Sequence, residues 1–290
     1  MKLTTLAIAI AAASLSFSAQ AADIKFGGDF HVGYKSSFGD NNGKHLQDEG
    51  SELWMNISEK AGGLTYFAHV ELEFDGGIYG DDGDNNDGDE SDDIEIDELQ
   101  VGVQGKFGKV IFGDIENACD KLEVGGDWNE FYAASDSRGD CGGDHEGTIL
   151  YTKKIGKAEV GISHNTDTDE NSAAVRYKAN KNLSVALGYI QRKGDLDNIV
   201  SASITAQKGK FGLKARVNDN ETSSNGDTGY SVFAAYSLTK VDLINIGTDN
   251  DDRVSLGYNR KLSKNSKLFI EGVKQGSGDI EHAVGVQYKF

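Results

Sequence analysis

Residues 230–262 read YSVFAAYSLTKVDLINIGTDNDDRVSLGYNRKL, and they contain three segments in which apolar and polar side chains alternate. Only Thr239-Lys240 separates the first segment from the second, and the acidic run 249–252 separates the second from the third. Alternation with a period of two is typical of a β-strand with one polar and one apolar face. The stretch therefore predicts antiparallel strands joined by short basic turns at one end and by acidic loops at the other.

The same pattern extends over the rest of the chain. Five strands are predicted before residue 115, at 24–35, 53–57, 64–74, 99–103 and 110–112. Eleven are predicted after residue 146, at 148–153, 158–165, 173–179, 183–192, 199–207, 211–219, 230–238, 241–248, 253–262, 267–275 and 281–290. An even number of antiparallel strands with short turns at one rim and longer loops at the other is typical of an outer-membrane barrel. Closure into a barrel also satisfies every backbone group in lipid.

The sequence thus predicts an all-β fold, a transmembrane antiparallel β-barrel of sixteen strands. Apolar faces such as Val254-Leu256-Tyr258 would contact lipid, and their polar partners would line a wet interior. A soluble β-sandwich, which would bury the apolar faces in its core, is the alternative, because a period of two does not by itself exclude it.

The first residues of the chain predict where the protein is located. Met1-Lys2 is followed by an apolar stretch to Ser18 and by Ala19-Gln20-Ala21, which fits a secretory cleavage site. We therefore predict a signal peptide over residues 1–21, a barrel over residues 22–290, and transit through the periplasm to the outer membrane. Without Lys2 the chain has 28 basic and 47 acidic residues, a net charge of 28 − 47 = −19. Such a polyanion repels nucleic acid and concentrates cations near itself.

One stretch departs from the alternation. Residues 115–146 read IENACDKLEVGGDWNEFYAASDSRGDCGGDHE, a connection longer than is usual in a compact domain. It carries both cysteines of the chain, Cys119 and Cys141, and export makes a disulfide between them permissible. Such a bond would stabilise the loop by about 3 kcal/mol. Free or separately paired thiols are the alternative.

The last strand, residues 281–290 (EHAVGVQYKF), ends with aromatic residues Tyr288 and Phe290 on one face. It resembles the C-terminal strand of Gram-negative outer-membrane barrels, in which the terminal Phe is an assembly signal. With the signal peptide, the sixteen strands and the long third external loop, the whole mature chain resembles the general diffusion porins.

That resemblance implies a channel for ions and small hydrophilic solutes, and a homotrimer whose first strands form the interface. It also implies a third loop folded into the lumen. The implied partners are the lipid bilayer with lipopolysaccharide and the barrel assembly machinery.

Within the long loop, residues 122–127 (LEVGGD) are similar to the porin constriction motif, although the Pro usual before its Glu is missing. By that match Glu123 is the pore-facing carboxylate, and Gly125-Gly126 supplies the backbone freedom for the bend. The predicted constriction residues are Glu116, Asp120, Glu123 and Asp127.

Porins oppose these carboxylates with a ladder of basic residues on the early strands. Here those strands offer acidic residues and histidines instead, namely Asp29, His31, Glu52, His69 and Glu71. Basic residues on later strands would form a weaker opposing wall: Arg176, Lys178, Lys214, Arg216 and Arg253. Carboxylates on both sides of a narrow passage attract cations and make anion entry costly, so the sequence predicts a cation-selective pore. The alternative is that these charges only solvate a wide lumen.

Other sites are less well supported by the sequence. The acidic loop 81–93 approaches a calcium-binding pattern, but Asp87 stands where an EF-hand requires Gly. We interpret it as a solvated or divalent-bridged external loop, which in porins can latch onto the neighbouring subunit. His145-Glu146 lacks the second His of a zinc protease, no G-x-S-x-G motif occurs, and the six histidines are scattered without ligand spacing. We therefore predict no enzyme, no metal site and no cofactor.

Three alternatives to a general channel stay open. One is a barrel hydrolase, whose catalytic groups would come from separate strands. The second is an adhesin or receptor surface without transport. The third is an oligosaccharide-specific porin, in which an aromatic track would stack sugars: Trp54, Phe67, Trp128, Phe131 and Tyr132. Packing within the loop is the other explanation for these aromatic residues.

Overall fold

The computed structural model describes residues 22–36, 45–48, 50–74, 94–126, 128–129, 141–142, 144–193, 198–219, 228–250, 252–276, 278 and 280–290. The predicted signal peptide, the acidic loop 81–93, Asp127, Phe131 and Tyr132 lie outside these residues. The described strands are β1 (Asp23–Ser36), β2 (His45–Asp48), β3 (Ser51–Ala61), β4 (Leu64–Phe74), β5 (Ile94–Gly105), β6 (Gly108–Glu116), β7 (Asp144–Ile155), β8 (Ala158–Asn165), β9 (Asn171–Asn180), β10 (Leu183–Gln191), β11 (Ile199–Lys208), β12 (Phe211–Asp219), β13 (Gly229–Ser237), β14 (Asp242–Asp249), β15 (Arg253–Lys261), β16 (Ser266–Gln275) and β17 (Ile280–Lys289). One short helix, α1 (Ala118–Leu122), lies between β6 and β7 in this described part of the chain.

The strands form one closed antiparallel sheet. From β3 to β17 each strand pairs with its neighbours in the sequence, and β1 pairs with β2, β3 and β17, so the sheet of described strands closes on itself. Strands β2 and β3 pair with successive parts of β1, opposite residues 32–35 and 23–29 respectively. They are therefore two segments of one span, and the barrel has sixteen spans. The predicted all-β fold and strand number are confirmed.

Tight hairpins join many of the spans. Between β3 and β4 the turn has Gly62 at φ 59° and Gly63 at φ 81°. Two successive residues with positive φ match the right-handed twist of the flanking strands, and glycine adopts that conformation without steric cost. The Gly-Gly pair thus explains why this connection needs only two residues.

The two faces of the barrel differ as the alternation predicts. On the apolar face, large side chains are exposed, including Phe26 (72%), Phe211 (66%) and Leu256 (62%). On the polar face, many side chains are buried: Thr148, Ser163, Asn165, Ser172, Ser201, Ser203, Asn218, Ser231, Asn245, Asp249, Ser255, Asn259 and Glu271. A continuous exposed apolar surface of this kind marks contact with a membrane or a partner. Among the described residues, no helix is long and apolar enough to cross a membrane.

The polar face also carries apolar patches that the sequence analysis missed. Ile111 and Leu150 lie opposite each other on β6 and β7, and both are fully buried. Ile190 and Ile199 form a second buried pair on β10 and β11. Burial of such a side chain contributes about 1.5–3 kcal/mol. These patches give the long loop an apolar surface on which to pack.

The chain end closes the barrel. The backbone N–H of Phe290 donates to the Gly28 carbonyl at 3.0 Å, and the N–H of Gly28 donates to the Phe290 carbonyl at 3.3 Å. The rings of Phe30 and Phe290 stack with centroids 5.8 Å apart, and Tyr288 lies opposite Phe30. The two aromatic residues of the predicted assembly signal therefore lie at the closing seam, where the last strand meets the first.

Candidate functional site

The long loop begins with a helix that the sequence analysis did not predict. Asn117 precedes helix α1, and its side-chain oxygen accepts hydrogen bonds from the backbone N–H of Cys119 (2.8 Å) and of Asp120 (3.2 Å). Asn is among the strongest N-cap residues, because its oxygen satisfies N–H groups that lack a partner within the helix. The Asn immediately before Ala-Cys-Asp-Lys-Leu was the feature of the sequence that could have predicted this helix.

The predicted disulfide between Cys119 and Cys141 is present, with the two Cα atoms 5.6 Å apart. Both cysteines are buried against the apolar pair Ile190 and Ile199. The amide of Asn117 also donates to the Cys141 carbonyl at 3.1 Å. One cap residue, one covalent bond and one apolar patch thus hold both ends of the loop against the wall.

Glycines on the polar face make room for this packing. A Cβ atom at Gly188 on β10 would lie 2.0 Å from the Cys119 sulfur, and one at Gly161 on β8 would lie 3.1 Å from the Leu122 side chain. No L-residue could occupy position 188 without moving the disulfide, since Cβ contacts shorter than 3.0 Å do not occur. The close approach of helix α1 to β10 therefore depends on this glycine.

Beyond the helix, the loop continues across the polar face. The name "loop segment" is used below for its described residues 117–126 and 128–129. Its backbone bonds to polar side chains on four strands: Ala118 N–H to Ser163 Oγ (3.0 Å), Cys119 N–H to Ser172 Oγ (3.1 Å), Val124 N–H to Ser203 Oγ (3.1 Å), and the Trp128 carbonyl from Asn259 Nδ2 (2.9 Å). These strands are β8, β9, β11 and β15, so the loop segment extends along roughly half of the barrel wall.

Three of the four predicted constriction carboxylates are described, and each has a partner. Glu116 pairs with Lys121, which lies in helix α1. The Glu123 side chain is only 7% exposed, and its Oε1 lies 3.9 Å from Nη1 of Arg216. Asp120, in the first turn of helix α1, also has an interaction partner. The loop segment therefore brings acidic groups to the wall, but the charge of Glu123 is largely compensated by the adjacent guanidinium.

The basic residues predicted on later strands lie on or beside the wall that the loop segment covers. The name "second wall" denotes the polar faces of β8 to β12. Here Arg176 forms an ion pair with Glu159 (Nη2 to Oε2, 2.6 Å), and the Lys214 ammonium lies 4.6 Å from the centre of the Trp128 ring. Lys178 is exposed. Arg253, farther along on β15, donates its backbone N–H to Asp249 (3.3 Å).

The acidic residues predicted on early strands come together differently. The name "first wall" denotes the polar faces of β3, β4 and β5. On it, Nε2 of His69 lies 3.3 Å from Oε2 of Glu71 and 3.1 Å from Oε2 of Glu98. Glu52 on β3 lies directly opposite Asp29 on β1 and Glu73 on β4 in the strand register. Three carboxylates and one imidazole thus share a small area.

Glu98 was missed in the sequence analysis, which found no ligand spacing among the histidines. The strand pairing of β4 with β5 brings it beside His69, although 29 positions separate the two in the chain. A His-x-Glu spacing was visible at residues 69–71, but the third group could be found only with the strand register in hand.

Asp29 and His31 form a smaller group at the seam of β1 and β17. Nε2 of His31 lies 3.0 Å from Oδ1 of Asp29, and Oδ2 of Asp29 accepts a hydrogen bond from the Gln287 amide (3.0 Å). Lys289 also pairs with Asp29. The charge of Asp29 is therefore compensated locally.

The described aromatic residues of the predicted track pack against three separate strands. Trp54 covers Gly27 on β1, Phe67 covers Gly102 on β5, and Trp128 covers Gly212 on β12. Each ring fills the space left by a glycine on the polar face. This arrangement favours packing as their main role.

The barrel resembles those of solved porin structures. A triple mutant of the Rh. blastica porin superposes with a TM-score of 0.67 at 15% sequence identity, over 93% of this chain and 100% of that one. In-vitro folded OmpT, an outer membrane protein of Vibrio cholerae, superposes with a TM-score of 0.69 at 13% identity, over 96% and 100% of the two chains. At such identities the likeness shows the fold alone.

Sequence comparison assigns the family. No curated protein matches the chain over its sequence. The family model described as Gram-negative porin matches residues 5–279, which is nearly the whole chain. The chain belongs to the Gram-negative porin family, and it is an outer-membrane diffusion channel.

Proposed function

We propose that this porin is a cation-selective channel for ions and small hydrophilic solutes. In this proposal the polar face of the barrel lines a water-filled lumen, and the long loop folds into that lumen and narrows it. Two features support the arrangement. The apolar face exposes its large side chains, as lipid contact requires, and the loop segment forms hydrogen bonds with Ser163, Ser203 and Asn259 of the polar face.

The observation that carries the selectivity is the difference in charge between the two walls. On the first wall, Glu52, Glu71 and Glu98 are accompanied by a single imidazole, His69, so the group stays anionic even with that imidazole protonated. On the second wall, the two arginines are each close to a glutamate, at 2.6 Å and 3.9 Å. Paired charges cancel at a distance, whereas clustered carboxylates attract cations and repel anions.

The placement of the walls strengthens this effect. Strands β4 and β12 are eight spans apart in a barrel of sixteen, so they lie on opposite sides. An ion that passes between them meets an acidic side with one imidazole and, across from it, a side on which Arg176 and Arg216 are paired with glutamates while Lys178 and Lys214 carry the remaining positive charge. The field across such a passage favours cations, although it is weaker than one between an acidic and a basic wall.

The test is the reversal potential of single channels in planar bilayers under a gradient of KCl. We expect a potential of the sign that K⁺ preference gives, and its size should fall at high salt because mobile ions screen the wall charges. Anion preference would contradict the proposed selectivity. Absence of any channel current in the bilayers would favour the adhesin or receptor alternative. Block of the current by oligosaccharides would favour the substrate-specific channel. We propose no enzymatic activity, and lipid or peptide hydrolysis by the purified barrel would contradict that.

Assembly and export are part of the same proposal. We infer a cleaved signal peptide over residues 1–21, passage through the periplasm, and insertion by the assembly machinery through the strand that ends at Phe290. We also infer a homotrimer in a bilayer that contains lipopolysaccharide. The exposed apolar side chains of Ile24 and Phe26 on β1 support an interface at the first strands, since they offer a large apolar area next to the seam.

A further inference from the structure

We propose that His69, Glu71 and Glu98 bind one divalent transition-metal ion on the first wall. The site uses Glu71 and Glu98, on which the proposed ion selectivity also rests, but zinc binding is measured without any channel current, so each proposal can fail separately. The three ligand atoms lie within 4.8 Å of one another, and each side chain is about five-sixths buried, with 16–17% exposed.

A β-bulge assembles the group. His69 is paired with Gln100 and Val70 with Leu99, but Leu72 is paired with Ile96. Two residues of β5, Asp97 and Glu98, therefore stand opposite the single Glu71. A bulge of this kind re-aims side chains and is common next to functional sites. Without it the strands would carry the same residues, but the carboxylates would be spaced by the regular ladder.

The distances suit an ion held at the centre of the group. Zinc binds imidazole nitrogen and carboxylate oxygen at about 2.0–2.2 Å. Two ligands at that radius are about 3.4 Å apart in a tetrahedron and about 3.0 Å apart in an octahedron, by simple geometry from those bond lengths. The observed separations from His69 Nε2 to Glu98 and Glu71 are 3.1 and 3.3 Å. Both separations from the imidazole nitrogen therefore suit two ligands of one ion.

The orientation of the imidazole points to the same conclusion. Nδ1 of His69 lies 3.0 Å from the side-chain oxygen of Asn56, and that oxygen can only accept, so Nδ1 donates. In the neutral ring, Nε2 then presents its lone pair to two carboxylate oxygens. Three electron-rich atoms then meet at hydrogen-bond distance, so a cation bound between them stabilises the contact. A proton on Nε2 forms a linear bond to only one carboxylate, whereas a metal ion binds all three atoms.

Groups around the ligands complete the site. A metal-bound histidine usually donates its other N–H to an oxygen, which is the role of Asn56 here. Gln100 donates to Oε2 of Glu98 at 2.6 Å and thereby fixes that carboxylate. The nitrogen ligand selects the class of ion, because imidazole suits Zn²⁺, Ni²⁺, Cu²⁺ and Fe²⁺, whereas Ca²⁺ and Mg²⁺ prefer oxygen ligands alone. Two carboxylates also balance the charge of a divalent ion.

The test is a titration of the detergent-solubilised full-length barrel with Zn²⁺ in competition with a chromophoric chelator. We expect one tight Zn²⁺ per chain, and X-ray absorption at the zinc edge should show one imidazole nitrogen with carboxylate oxygens. His69→Ala and Glu98→Gln should each weaken binding at least ~100-fold, because each removes a ligand. Asn56→Ala should weaken it ~10- to 100-fold, as loss of a supporting group does.

The controls separate this site from the other acidic regions of the chain. His164 lies on β8, away from β4 and β5, and is bonded to Asn171, so His164→Ala should leave the Zn²⁺ affinity unchanged. Ca²⁺ should bind no more tightly to the parent barrel than to the Glu98→Gln variant. Absence of stoichiometric Zn²⁺ binding, a zinc shell without imidazole, or equal affinity in the parent and both ligand variants would each overturn the proposal. If His69→Ala does not fold, the absorption spectrum of the parent and the Glu98→Gln variant still decide.

Discussion

The first and second walls both have acidic residues on or against them, but these residues are used in opposite ways. On the first wall, Glu71 and Glu98 converge on one imidazole and leave net negative charge. On the second wall, Glu123 and Glu159 lie beside arginines, and the loop segment covers part of that surface. The difference teaches that the charge a channel presents depends on which groups are paired across strands. A count of residues along the sequence does not reveal it.

The largest effect is expected on the second wall, where the disulfide holds the loop segment. The double variant Cys119→Ser, Cys141→Ser should lose about 3 kcal/mol of loop stabilisation, because the reduced loop has many more open conformations. Limited trypsin digestion of the folded barrel should then cut after Lys121, a position that the oxidised loop segment protects. Single-channel conductance should rise as the loop leaves the wall.

Wild-type barrel treated with a reductant serves as the control for that variant, since it loses the bond and keeps both cysteines. Equal resistance to trypsin in the oxidised and reduced forms would show that the contacts to Ser163, Ser172 and Ser203 hold the loop without the bond. The second wall would then be fixed by its hydrogen bonds alone.

The next effect tests the charge pairing on the second wall. Arg216→Gln should destabilise the barrel by about 2 kcal/mol, because it removes the guanidinium beside the buried Glu123 carboxylate. The double variant Arg216→Gln, Glu123→Gln should recover most of that loss, since neither charge remains. The free energy of unfolding in urea, measured on barrels in lipid, compares the three proteins. A double variant as unstable as the single one would mean that Arg216 acts through Ser231, to which its Nε donates at 3.2 Å.

The smallest effect sharpens the description of the first wall. Glu52→Gln should reduce the ratio of K⁺ to Cl⁻ permeability by a factor of up to about 5, the value for a fully ionised carboxylate. A unit charge about 4 Å from a passing ion in water contributes about 1 kcal/mol, which corresponds to that factor. The reversal potential in a KCl gradient measures the change.

Glu59→Gln is the matched control for this change. Residues 52 and 59 are on the same strand, but an odd number of positions separates them, so their side chains face opposite sides of the sheet. Glu59→Gln should have the same reversal potential as the parent barrel. If both variants shift the potential equally, or neither does, the first wall does not set the selectivity.

Much of the fold could be predicted from the sequence because its signals are local. Strands β8 and β12 begin and end at the predicted residues, 158–165 and 211–219, and most others agree within a few positions. The alternation of side chains and the short turns between strands depend only on neighbouring residues. The disulfide was also accessible, because the chain contains two cysteines and both lie in one loop.

The site was less predictable, and the reasons are specific. Helix α1 is only five residues long, too short to produce a periodic pattern. The apolar anchors Ile190 and Ile199 interrupt a polar face, and a single apolar residue in a strand gives no sign of what covers it. The compensation of Glu123 by Arg216 joins positions 93 residues apart, which no local spacing indicates.

The sequence by itself determined a sixteen-span barrel with an unusual, cysteine-bearing third loop and an acidic composition. The period of two and the hairpin turns act between adjacent residues, so they are readable along the chain. Only the tertiary structure decided which charges meet. The bulge between β4 and β5 shifts the strand register, and that shift places Glu98 against His69. Register depends on the pairing of whole strands, which is a property of the closed sheet.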